Sequence, residues 1–126
     1  MLAEMSTDYR LGLSDCFTFI HGAVKAMTGV YLAPEMIGEY GSRRSAVNAM
    51  KRHGHVDVIS FARAIAKRHD IEEIPPEISS VGDIVLARSV HLSHAFSIRW
   101  TTCLATKAPR VRGLATASDP ITAWRV

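Results

Sequence analysis

The dipeptide Pro75-Pro76 divides the chain into two parts with different hydrophobic patterns. Proline lacks a backbone N–H and restricts the residue before it, so no helix is expected to run through this point. Apolar residues recur at helical spacing before the dipeptide, whereas after Gly82-Asp83 they form short runs between turn residues. Helices followed by strands are typical of an α+β domain, in which N-terminal helices pack on one side of a small antiparallel sheet.

Three helices are predicted before the prolines. The first has its apolar residues on one face, with Ser14 or Asp15 as its cap and Gly29 as its stop. The predicted helices span Asp15 to Met27, Ser42 or Ser45 to His53, and Val56 to His69.

Five short strands are predicted after Gly82-Asp83. They span Ile84 to Ala87, Ala95 to Trp100, Thr101 to Ala105, Leu114 to Thr116, and Ile121 to Val126. Pro109, Gly113 and Asp119-Pro120 are expected to separate the later strands.

Composition limits the class of protein further. With 126 residues, of which 48% are apolar and 21% charged, we expect one globular domain covering residues 1–126. Every apolar segment is interrupted by charged or polar residues, so no integral membrane association is expected. The segment Met1 to Asp8 lacks the pattern of a secretion signal, which predicts synthesis in a cytoplasm. The net charge of +3 is too small and scattered to favour nucleic-acid binding.

No cofactor is expected. Cys16 and Cys103 lie far apart and match no ligand spacing for zinc or iron–sulfur clusters, so no metal site is predicted. The chain also has no glycine-rich phosphate loop.

Cys16 is the first candidate for chemistry. It falls in the first turn of the first predicted helix, where the helix dipole stabilises a thiolate. The alternative is a buried cysteine that acts as a small hydrophobe. A histidine base would come from His94 or His91 after Asp83, whereas His21 is interpreted as structural.

Three segments together resemble the NlpC-type papain-like cell-wall peptidases. Tyr9–Phe19 (YRLGLSDCFTF) is similar to the family's Tyr-x-x-Gly followed by Asp-Cys-x-x-Phe. Gly82–Leu86 resembles its Gly-Asp-Leu-Val-Phe strand, and His94–Ile98 its His-Val-Gly-Ile. The compact layout and the ending Gly113–Val126 resemble a short phage-encoded branch of this fold, found among tail-tip genes and consisting mainly of domains of unknown function.

The resemblance implies a papain-like NlpC-type fold with Cys16 as nucleophile and His94 as general base. It places the third, orienting residue at Thr106, where the family usually has His, Asn or Gln. Tyr9 and Asp15 would lie by the substrate or oxyanion, next to the Cys16 backbone N–H. Phe96 replaces the family's glycine after the histidine, and is expected to crowd the cleft.

Two functions follow as hypotheses. The first is a cysteine peptidase or amidase that cleaves peptide bonds of peptidoglycan and is carried by a phage tail tip or baseplate. The second is a catalytically degenerate structural subunit of the tail tip that binds neighbouring tail proteins. For the second, Trp124 is a candidate interface anchor, against the alternative of core packing. A cytoplasmic assembly protease acting on another tail protein is a third possibility.

Overall fold

The computed structural model describes residues 15–88, 94–101, 103–106 and 115–126. Within these residues the chain forms three α-helices and six β-strands, which confirms the predicted α+β class. The helices are α1 (Cys16–Thr28), α2 (Arg43–Arg52) and α3 (Val58–Arg68), and single 3-10 turns occur at Pro34–Met36 and Pro76–Ile78.

Helix α1 is fixed at both ends by local sequence. The Asp15 carboxylate accepts a hydrogen bond from the Thr18 backbone N–H (2.8 Å), and the Thr18 hydroxyl accepts one from the Asp15 backbone N–H (2.7 Å). This reciprocal capping box satisfies backbone donors that the helix itself leaves unpaired. At the other end Gly29 adopts the left-handed conformation (φ 80°), which glycine takes at little cost.

The other two helices also begin at capping side chains. Ser42 accepts a hydrogen bond from the Ser45 backbone N–H, and Asp57 accepts one from the Ser60 backbone N–H (2.7 Å). Ser42 was one of the two predicted starts of α2. Helix α3 begins at Val58, two residues later than predicted, because Asp57 is its N-cap and therefore lies just outside the helix.

The six strands form one antiparallel sheet with the order β1-β6-β2-β3-β4-β5. The last strand of the chain therefore lies inside the sheet, between β1 and β2. The strands are β1 (Glu72–Ile74), β2 (Ile84–Arg88), β3 (Ala95–Arg99), β4 (Leu104–Thr106), β5 (Ala115–Ala117) and β6 (Asp119–Arg125).

Three strand predictions need correction. Strand β1 was not predicted, because no local sequence pattern marks it and it forms by pairing with the end of β6. Strand β6 begins at Asp119 and includes Pro120, which was predicted to separate strands; Pro120 lies at a register shift, where a missing N–H is tolerated. Strand β4 begins only at Leu104, because the Trp100 backbone N–H donates to the Cys103 carbonyl oxygen and forms a turn.

The main core lies between the helices and one face of the sheet. The Phe17 ring of α1 contacts Phe61 of α3 at 5.3 Å and Phe96 of β3 at 5.9 Å between ring centroids. Trp124 of β6 is buried in the same cluster, so it packs in the core and is not an exposed interface anchor. His21 is also buried, beside Phe17 and Tyr31, and burial lowers its pKa.

The opposite face of the sheet is built from smaller buried side chains. Val85 and Ala87 of β2 point to this face, with Leu104 of β4 and Ala123 of β6. Successive residues of a strand alternate between faces, so this pattern assigns a side to each residue of β2, β3 and β4. Among the described helices, none has both the length and the apolar character needed to cross a bilayer.

Candidate active site

Cys16 is the first residue of α1, and its sulfur lies against β3. Three backbone N–H groups are close enough to the sulfur to stabilise its anionic form: those of Phe96, Phe17 and Cys16 itself. The N–H groups of Cys16 and Phe17 belong to the start of the helix, where such donors have no partner within the helix. The structure thus places the thiol between a helix N-terminus and the beginning of a central strand.

His94 immediately precedes β3, two residues before Phe96, and is half-buried. Phe96, whose backbone N–H lies by the Cys16 sulfur, packs on the helices. The predicted nucleophile and the predicted base are therefore brought to the same end of the same strand. His91, the alternative base, lies outside the described residues.

The Cys16 thiol is held in its protonated form. The residue keeps part of its surface exposed, but the sulfur is surrounded by protein atoms, and this burial raises its pKa from about 9 to about 12. The neighbouring Asp15 carboxylate adds to the rise, since it opposes a second negative charge. The three backbone N–H groups lower the pKa but do not offset burial. The thiol therefore carries its proton at neutral pH.

Asp15 is buried and its two oxygens have separate partners. One oxygen caps α1 through the Thr18 backbone N–H, and the other accepts a hydrogen bond of 2.6 Å from the Tyr40 hydroxyl. The carboxylate thus joins the first turn of α1 to the segment before α2. Tyr40 was not predicted from sequence. The signal that could have found it is the need of a buried carboxylate for a hydrogen-bond donor.

Thr106 is fully buried in β4, and its hydroxyl donates a hydrogen bond of 2.7 Å to the Phe96 carbonyl oxygen. It lies two residues after Leu104, whose side chain points to the face away from the helices. Thr106 is therefore directed to the face opposite the one that carries Cys16 and Phe96. Its role as the third residue of the site stays a prediction.

Phe96, which was expected to crowd the cleft, belongs to the hydrophobic core of the described residues. Its ring packs in the main core against Phe17 and, at 6.4 Å between centroids, against Phe61. Tyr9, the other predicted oxyanion or substrate residue, lies outside the described residues.

An acidic group not predicted from sequence lies near His94. Asp57, the exposed cap of α3, has its pKa lowered chiefly by hydrogen bonds from Ser60, with smaller contributions from the positive charges of His94 and Arg63. The apolar run after Asp57 is a capping signal, but nothing in the sequence places this residue beside a histidine 37 positions later.

Comparison with known protein families matches residues 1–126 to a domain of unknown function, DUF6950. The chain belongs to the DUF6950 family. The comparisons of this DUF6950 chain with curated proteins and with solved structures each gave no match.

Across the described parts of the DUF6950 chain, no three His, Cys, Asp or Glu side chains converge in a way that could hold a metal ion. Near the start of β3 lie the Cys16 thiol and its backbone N–H donors, and His94 immediately precedes the strand; a thiol, an imidazole and N–H donors are the groups that nucleophilic chemistry uses.

Proposed function

We propose that this chain is a cysteine hydrolase of papain-like, NlpC-type fold that cleaves peptide bonds of peptidoglycan from a phage tail tip or baseplate. The observation that carries the proposal is the position of Cys16 at the N-terminus of α1, packed on β3 two residues from His94. Helices on one face of an antiparallel sheet, with the thiol and the imidazole at one strand end, fit this fold.

The chemistry follows from the positions of the two side chains. His94 takes the proton of the Cys16 thiol as the sulfur attacks the carbonyl carbon of the substrate. The carbonyl π electrons move to the oxygen, and the Cys16 backbone N–H, at the helix N-terminus, is the candidate donor to that oxygen. His94 then protonates the leaving amine, and water releases the acyl group from sulfur.

The raised pKa of Cys16 determines how the thiol would be deprotonated in such a hydrolase. A thiol with a pKa of about 12 carries almost no charge at neutral pH, so the resting site holds no thiolate–imidazolium pair. Proton transfer to His94 must accompany bond formation. We therefore expect slow turnover, and a dependence on His94 as strong as the dependence on Cys16.

The substrate and the carrier rest on resemblance. The motifs around Cys16, Gly82-Asp83 and His94 are similar to those of cell-wall peptidases, and the C-terminal segment resembles a phage-encoded branch. The expected partners are other tail-tip or baseplate proteins, and peptides of peptidoglycan. The expected location is the virion tail, after synthesis in the host cytoplasm.

Incubation with purified sacculi tests the enzymatic function. The wild-type chain should release soluble peptide fragments, identified by mass spectrometry, whereas Cys16→Ala should release none. Cys103→Ser is the matched control because it removes the other thiol, which lies in the turn before β4, and it should match the wild type. Equal inactivity of wild type and Cys16→Ala would contradict the proposal.

A second candidate function is that of a structural tail subunit, and one observation favours it. Ile78, Val81 and Trp100 are 54%, 66% and 40% exposed. The Gly82 backbone N–H donates to the Arg99 carbonyl oxygen, which brings the residues next to Val81 and Trp100 together, and we infer that their exposed side chains form one apolar patch. Such patches are typical of protein–protein contacts.

Phage genetics separates the two functions. A structural subunit predicts that Trp100→Ser impairs tail assembly while Cys16→Ala phage assemble and infect normally. An infectivity defect confined to Cys16→Ala and His94→Ala would exclude the purely structural role.

A further inference from the structure

The first turn of α3 packs against β3 through one pair of aromatic rings. The Phe61 ring of α3 packs against the Phe96 ring of β3, with centroids 6.4 Å apart. The Phe61 backbone N–H donates to the Asp57 carbonyl oxygen (3.0 Å), so Asp57 lies one helical turn before Phe61 on the same side of the helix. His94 immediately precedes β3 and lies two residues before Phe96.

This contact places the first turn of α3 near β3, and Asp57 and His94 each precede the contacting phenylalanine on their own element. Electrostatics agrees with this placement, because the positive charge of His94 lowers the pKa of the Asp57 carboxyl group. One Asp57 oxygen already accepts the Ser60 backbone N–H. Because a carboxylate has two oxygens and about four acceptor sites, capping α3 leaves Asp57 able to interact with His94.

We propose that Asp57 is a positioning residue for His94, whose carboxylate stabilises the charged imidazole that forms when His94 takes the Cys16 proton. This inference rests on the proposed function for its consequence in catalysis. No atoms are exchanged with Asp57: the proton moves from the Cys16 sulfur to the imidazole and then to the leaving amine. Asp57 does not touch the substrate, so it acts through His94 alone.

The inference gives the site a third polar group on the face that carries Cys16. Thr106 lies on the opposite face of the sheet, and its hydroxyl donates a hydrogen bond to the Phe96 carbonyl oxygen. Asp57 lies at the N-terminus of α3, whose first turn packs on β3 through Phe61. It comes from a different element and from a position far before the histidine in sequence.

The charged groups around Asp57 determine the expected size of the effect. Arg63, one turn further along α3 than Ser60, also lowers the pKa of Asp57 through its positive charge. Its guanidinium, however, donates hydrogen bonds of 2.9 and 3.1 Å to the Glu73 carboxylate. His55, which precedes α3 and packs on Phe61 at 5.2 Å, is a further titratable group on this side. Asp57 is exposed, so salt should weaken its interaction with His94.

The test is the pKa of His94, measured by NMR titration of the imidazole protons of the full chain at low salt, with His94→Gln to assign the signals. Asp57→Ser keeps a hydroxyl that caps α3 and removes only the charge. The His94 pKa should fall by about half a pH unit, the shift that opposite charges roughly 6 Å apart in water impose on each other. The difference between wild type and variant should shrink in high salt.

Glu77→Gln is the matched control. It removes the same charge from an exposed residue at the opposite end of β3, where the Arg99 guanidinium donates to the Pro76 carbonyl oxygen. The control should leave the His94 pKa unchanged. Asp57→Ala, which removes the cap as well, should lower the stability of the fold and shift the His94 pKa as Asp57→Ser does.

The outcome is independent of whether the chain hydrolyses peptidoglycan, because the titration uses no substrate. An unchanged His94 pKa in folded Asp57→Ser would overturn the inference. A lowered pKa together with intact sacculi would support the pairing of Asp57 with His94 and contradict the proposed function. If both hold, the acidic limb of the pH–rate profile should move in Asp57→Ser by the same amount as the His94 pKa.

Discussion

The protonated state of the Cys16 thiol leads to a quantitative prediction about its reactivity. Only the thiolate attacks a disulfide, so the rate depends on the fraction of Cys16 that is ionised. A pKa of about 12, against about 9 for an ordinary cysteine, reduces that fraction about 1,000-fold at neutral pH. A thiolate of higher pKa is intrinsically a better nucleophile, by about 20-fold over this range. The net expectation is a rate about 50-fold below that of an unstructured cysteine peptide.

An aromatic disulfide that releases a coloured thiol measures this rate directly. The Cys103→Ser chain leaves Cys16 as its single thiol, and a short peptide with one cysteine is the reference. Because burial opposes the charged form, the protein's rate should still rise about tenfold per pH unit at pH 10, where the peptide's rate has levelled off. Circular dichroism at each pH confirms that the chain is folded. In concentrated urea the two rates should become equal.

A different pH dependence would refute this reasoning. If the rate of Cys16 reaches a plateau below pH 7 and exceeds that of the peptide, the sulfur is ionised at rest. The helix N-terminus and an imidazolium partner would then outweigh burial, and the site would hold a thiolate–imidazolium pair.

Three substitutions test other contacts of the site, each checked by urea unfolding. Tyr40→Phe removes the hydroxyl that donates to buried Asp15 and should lower the free energy of unfolding by about 1–2 kcal/mol; no change would show that the hydrogen bond contributes nothing net. Thr106→Val removes the bond to the Phe96 carbonyl oxygen and should lower stability by about 1 kcal/mol. It should leave hydrolysis at the wild-type rate, whereas loss of hydrolysis in the folded variant would establish Thr106 as the third site residue. Phe96→Ala opens a cavity beside Phe61 and should lower stability by about 3–5 kcal/mol; a cost near zero would place the ring outside the core.

The helices could be predicted from sequence because their ends are marked locally. Asp15 and Ser42 cap α1 and α2, and Gly29 ends α1 in the left-handed conformation. The start of α3 was predicted two residues early, since the apolar periodicity extends to Val56 but the capping carboxylate of Asp57 decides where the helix begins.

The sheet was predicted less completely because its order depends on distant residues. Strand β1 is three residues long and contains two glutamates, so no local pattern marks it; it exists through pairing with Ala123, Trp124 and Arg125. The insertion of β6 between β1 and β2 likewise depends on contacts across the whole chain.

The candidate site was likewise predictable from sequence only in part. The resemblance implied that Cys16 and His94 approach each other; the Cys16 sulfur lies by the Phe96 backbone N–H and His94 immediately precedes β3, while their direct pairing stays a prediction. The position of Cys16 at a helix N-terminus predicted a stabilised thiolate and thus a lowered pKa, and this was wrong: burial, which the sequence pattern does not reveal, raises the pKa to about 12. Tyr40 and Asp57 reach the site from other segments, and only the packed structure reveals their contacts.

The central claim is that Cys16 and His94 act together as one hydrolytic unit. The direct test is a cycle of four proteins, namely wild type, Cys16→Ala, His94→Ala and the double variant, each assayed for cleavage of soluble peptidoglycan stem peptides by mass spectrometry. Each single substitution should reduce cleavage by roughly 10³-fold or more, and the double variant should be no worse than either, because residues that act as a unit are not additive. Cleavage at the wild-type rate by either single variant would contradict the claim.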